Sequence, residues 1–132
     1  MTNKRLVDLV FGEDEKLWRR IERKQVTRDK RVKASALRLQ ISVVREKYGA
    51  QATVTEGKFN GIAEITASRA AQVVNGAVRA VCVDEPHDTN PGHALIAFVA
   101  TPGETVSEDL VNATRALLAE RFTIVVDPQP VQ

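Results

Sequence analysis

The sequence is poor in the residues that usually advertise a chemistry. Its 132 residues include one cysteine, one tryptophan, one tyrosine and two histidines, and aromatics make up 5%. A single cysteine cannot close an internal disulfide, which excludes a disulfide-stapled secreted scaffold. One cysteine and two histidines also fall short of a zinc finger. Long apolar runs are missing: the longest clean one, Ala94–Ala100, has seven residues, against about twenty for a membrane-spanning helix. The start, Met1 to Arg5, leads into charge without a signal-peptide core. These absences point to a cytoplasmic chain with no membrane partner. Gly57-Lys58 lacks the flanking residues of a phosphate loop, and no Gly-rich dinucleotide fingerprint is present. No cofactor is expected. What remains is enough apolar sequence, 43%, to build one domain with a real core.

Charge is unevenly placed. Residues 1–50 hold fourteen Lys/Arg and seven Asp/Glu, a balance of +7, whereas residues 51–132 carry −5. Nine cations crowd into Lys16–Lys33: Lys16, Arg19, Arg20, Arg23, Lys24, Arg28, Lys30, Arg31 and Lys33. Such a segment suits a nucleic acid or an acidic partner protein. It equally suits a solvated helix lying on its own acidic body. Only Trp18 stands among these cations, which argues against single-strand recognition by base stacking.

Hydrophobic spacing predicts the elements. Leu6, Val7, Val10 and Phe11 fit two turns of helix. Leu17, Trp18 and Ile21 fit the narrow apolar stripe of a second helix over Lys16–Gln25. That stripe must dock on something, and a neighbouring subunit is one option, making the chain an oligomer. Thr27–Lys33 reads as a linker or solvated helix. From Leu37 to Val44 apolar residues recur with period two, the pattern of a strand. Residues 57–61 read as a turn and Gly61–Ile65 as a short strand. Thr66 reads as the N-cap of a helix over Ala67–Asn75 that Gly76 stops. Ala77–Val83 and His93–Ala100 read as strands. A capping pattern at Thr105–Glu108 opens a helix to Arg121, and Phe122–Val126 closes the chain as a strand. The expected architecture is an α+β domain over residues 35–127, a small mixed sheet with helices on one side. A basic helical arm, residues 1–34, precedes it, and a disordered tail, residues 128–132, follows.

Both histidines sit in one polar loop, Asp84–His93. His93 and His87, with Asp88, Asp84 or Glu85 as orienting carboxylate, are candidates for general acid–base catalysis. The spacing matches no metal-binding signature, so no metal is assigned. The alternative is structural: Asp88, Asn90 and Pro91 build a turn, and His93 is a donor at a strand head. Cys82, within an apolar strand, reads as an inert buried thiol.

Three blocks carry a resemblance: Ile41-Ser42-Val43-Val44-Arg45, then Gly61-Ile62-Ala63, then Val81, Pro86 and Asn90-Pro91-Gly92-His93-Ala94-Leu95-Ile96. Together they resemble a scattered group of small bacterial proteins of unassigned function, often encoded near mobile or anti-phage islands. The resemblance covers residues 39–96 and implies Asn90, Pro91 and His93 as the positions of interest. The leading expectation is a non-enzymatic binding or accessory protein of a bacterial conflict system, of anti-phage or toxin–antitoxin type, acting through its basic arm. The alternatives are a small His-dependent hydrolase or nuclease and an oligomeric structural subunit joined through Leu17, Trp18 and Ile21.

Overall fold

A computed structural model describes residues 5–37, 40–49, 54–55 and 60–129. Seven strands dominate it: β1 (Lys16–Ile21), β2 (Gln40–Arg45), β3 (Gly61–Thr66), β4 (Val74–Asn75), β5 (Val78–Asp84), β6 (His93–Ala100) and β7 (Thr123–Val126). Two α-helices lie wholly among the described residues, α1 (Ala67–Ala71) and α2 (Glu108–Arg121). The strands form one sheet in the order β4-β5-β6-β2-β1-β3-β7, with every pairing antiparallel. The sheet curls into a half-barrel.

This corrects the α+β expectation: among the described residues there is no mixed sheet and no helical N-terminal arm. The stretch expected as a basic helix is β1, in the interior of the sheet. The reason is an ambiguity of spacing. Positions 17, 18 and 21 lie on one side of a helix, but they also suit a strand covered on both faces. Leu17 and Ile21 point to one face and Trp18 to the other, and all three are buried. The expected docking of Leu17, Trp18 and Ile21 on a neighbouring subunit is corrected with it, because these side chains are consumed in the chain's own core. Residues 5–12 form no helix either; they run without regular structure.

The main core lies on one face, where Leu17, Ile41, Val43, Ile65 and Ile96 meet Ala70 of α1 and Leu118 of α2. A smaller cluster on the opposite face joins Trp18, Val44, Val54 and Ile62. Thr66 caps α1 by accepting from the Arg69 amide, and Ser107 caps α2 by accepting from the Leu110 amide. α1 is shorter than its pattern suggested. Val73 and Val74 are β-branched, and the chain turns there into a β4–β5 hairpin, with Gly76 at φ 59° in the turn. The 57–61 turn lies outside the described residues except for Asn60 and Gly61, and the 130–132 part of the expected tail lies wholly outside them.

Candidate ligand-binding cleft

β1 pairs with β3 along all six of its residues but with β2 at only two, Leu17↔Arg45 and Trp18↔Val44. Past that point β1 and β2 part. Arg19 spans the gap, donating from Nη1 to the Ser42 carbonyl (2.9 Å) and from Nη2 to the Ala36 carbonyl (2.8 Å). A cleft of about 480 Å³ opens where the strands separate. Its walls include Trp18 and Arg20 of β1, Gln40 and Ser42 of β2, Asn90 of the β5–β6 loop and His93 at the head of β6.

His93 occupies a defined position. Its Nδ1 lies 2.9 Å from the Glu85 carbonyl oxygen. A carbonyl only accepts, so Nδ1 carries a proton, and in the neutral ring Nε2 presents the lone pair. Nε2 faces the Ser42 hydroxyl at 3.3 Å. The Glu85 carboxylate sits 3.5 Å from Nδ1. The His87 ring stacks on that of His93 with centroids 4.2 Å apart, and its Nε2 lies 3.2 Å from the same carboxylate. Register explains the encounter: Val44 pairs with His93, and Ser42, two residues on, is the diagonal neighbour on the same sheet face.

The three carboxylates named from the sequence as partners of the histidines go to different places. Glu85 is the one beside the imidazoles. Asp88 is exposed at the loop tip, inside the turn closed by reciprocal His87–Asn90 backbone hydrogen bonds. Asp84 belongs to another assembly. It takes two hydrogen bonds from Arg5 (2.6 and 2.5 Å) and one from the Asp8 amide (2.7 Å), and it pairs with Arg45 at 3.2 Å. Arg45, fully buried, also pairs with Glu15 and lies over the Phe11 ring at 3.9 Å. Lys47 and Tyr48 complete the group around Asp8. Three cations (Arg5, Arg45, Lys47) thus balance three carboxylates (Asp8, Glu15, Asp84). Burial alone would raise the Asp84 pKa, but the donors from Arg5, Asp8 and Arg45 outweigh it and bring it to about 2.

This network fixes the loop. It holds residues 5–15 against the head of the sheet, and Arg5 also donates to the Pro91 carbonyl. Gly92 completes the anchorage, its carbonyl accepting from the Arg45 amide at 2.7 Å. A Cβ at Gly92 would come within 2.8 Å of a Val44 methyl and 3.0 Å of the Arg45 oxygen, so only glycine fits without movement.

Glu85, His87 and His93 each offer one metal-ligating atom, all within 4.8 Å of one another. A metal taking His93 through Nδ1 would have to displace the hydrogen bond to the Glu85 carbonyl. Cys82 does not join this group. It pairs in register with Ile96 and is half-buried rather than fully buried, and burial pushes its thiol up to about 11.

The sequence-predicted cations divide. Arg19 is tied to backbone carbonyls, and Lys16 pairs with Glu64 at 3.6 Å. Arg20 lines the cleft. Arg23, Lys24, Arg28, Lys30, Arg31 and Lys33 are all exposed on an irregular hairpin between β1 and β2. Its legs meet at the Val26↔Val32 bridge and through hydrogen bonds from Thr27 to Arg31 and from Lys33 to Gln25. Ser42 was missed by the sequence reading. Alternation places Ser42 on the face opposite Ile41 and Val43, but its meeting with His93 depends on the β2–β6 register, which no local pattern shows.

No family model matches the chain, and no curated protein or solved structure matches it. No helix among the described residues is long and apolar enough to cross a membrane.

Proposed function

We propose that the chain binds the phosphate backbone of nucleic acid through its basic hairpin, residues 23–33, as an accessory protein of the kind of conflict system its sequence resemblance implies. The observation that carries this is the exposure of six cations within eleven residues, where Asp29 is the only acid. Asp29 engages Arg31 at 3.4 Å and Glu22 engages Lys24 at 3.4 Å. Surface pairs of this kind are weak, typically about 0–1 kcal/mol, and yield readily to a polyanion. The single tryptophan is buried, so no aromatic platform on the hairpin stacks bases. Contact with phosphates rather than bases follows, with little sequence preference.

The test compares the full chain with the triple variant Arg23→Ala, Arg28→Ala and Lys33→Ala on a labelled 20-base-pair duplex across a salt series. Binding is expected to weaken with salt. Its log–log slope should become shallower by about one for each phosphate contact removed. Equal affinity and slope for both proteins would reject the reading. Binding to polyglutamate but not to duplex would reject it in favour of an acidic protein partner.

A further inference from the structure

We propose that Ser42 and His93 are a nucleophile and general base that hydrolyse carboxylic esters held in the cleft between β1 and β2. This goes beyond the binding reading and does not rest on it.

The tautomer of His93 decides which nitrogen can act as the base. The Glu85 carbonyl accepts from His93 Nδ1 at 2.9 Å, so in the neutral ring the free lone pair is on Nε2, the nitrogen 3.3 Å from Ser42 Oγ. The ring is further held by the Glu85 carboxylate and by the stacked His87. Nucleophile, base and orienting acceptor therefore stand in the relation that serine-nucleophile sites require. Ser42 is exposed, and the cleft it lines is large enough for a small ester.

The step balances. Ser42 Oγ bonds to the ester carbonyl carbon while Nε2 takes the hydroxyl proton. The acyl–oxygen bond breaks, and that proton passes to the departing alkoxide, giving an alcohol and an acyl-Ser42. Water attacks the acyl group with Nε2 again as base, releasing a carboxylic acid and returning the proton to Ser42. Ester and water become acid and alcohol, with no other reactant.

The test uses the full chain and a fluorophosphonate, which phosphonylates activated serines, with peptide mapping of the adduct. A single adduct on Ser42 is expected. Ser42→Ala should remove it, and His93→Gln should slow it by about 10²–10⁴-fold, the usual contribution of a general base. Thermal melts establish that the variants are folded. Ser35, which lines the same cleft, supplies an internal reference that needs no variant: Ser42 should label far faster. A p-nitrophenyl ester should likewise give a burst of nitrophenolate that Ser42→Ala abolishes. Equal labelling of Ser42 and Ser35 in the unaltered protein, or a folded His93→Gln protein labelling at the original rate, would overturn the proposal.

Discussion

Arg45 has no solvent exposure, and its charge is matched by three carboxylates from two distant parts of the chain, the 5–15 strap and the end of β5. Removing it leaves Arg5 and Lys47 to face three carboxylates around a buried site, so one negative charge goes unmatched, which typically costs about 3–5 kcal/mol. Arg45→Met is expected to lose that much in a denaturant titration. Arg45→Lys should recover little, because one ammonium cannot replace a forked guanidinium. The pH dependence follows from Asp84. Its pKa is lowered in the fold to about 2, against about 4 in the unfolded chain. Its contribution is therefore present above pH 4 and lost as pH falls from about 4 to about 2. Asp84→Asn should be less stable than the parent at pH 7, with the gap narrowing across that window in an acid titration. None of this was legible in the sequence, because Arg5, Asp8, Glu15, Arg45 and Asp84 have no local pattern in common. His93 was legible as a candidate, whereas its partner Ser42 needed the β2–β6 register.

Elements with one dominant local signal were readable from the sequence. The 37–44 alternation, the Thr105–Glu108 capping pattern and the apolar 93–100 run each led to an element, although the strand assigned is Gln40–Arg45 and the cap is Ser107 rather than the Thr105 of the box. In α2, Leu118 is fully buried and Leu117 is 40% exposed. Leu118→Ala is expected to cost about 2–5 kcal/mol, and Leu117→Ala within about 0.5 kcal/mol. Equal losses in parallel urea titrations would contradict the placement of that helix. β1 was not readable, since its apolar positions satisfy the helical and the two-sided strand pattern equally. Pairing with both β2 and β3 decided the outcome, a long-range effect that no local window contains. The N-terminal apolar cluster misled similarly: Leu6, Val7 and Val10 are exposed and only Phe11 of that stripe packs against the core, on a strap held chiefly by its polar atoms.

At the scale of the molecule, the charge asymmetry seen in the sequence persists but changes meaning. The basic third is not an appendage. It supplies the interior strand β1, and its surplus charge is carried by the hairpin leading from β1 to β2. Removing residues 1–34 would strip β1 from between β2 and β3 and delete Arg5, Asp8 and Glu15 from the ionic network. The truncated chain should therefore show no cooperative thermal transition; a sharp transition close to that of the full chain would show that β1 is dispensable. The cleft and the hairpin flank the same opening in the sheet, which places the proposed chemistry beside the proposed binding surface. The most direct test of the central claim is amide hydrogen exchange of the full chain with and without a 20-base-pair duplex at low salt. The account expects slowed exchange across residues 23–33 and unchanged exchange in β5 and α2. Exchange at 23–33 that is unaffected by duplex, or protection confined to the α2 face, would contradict it.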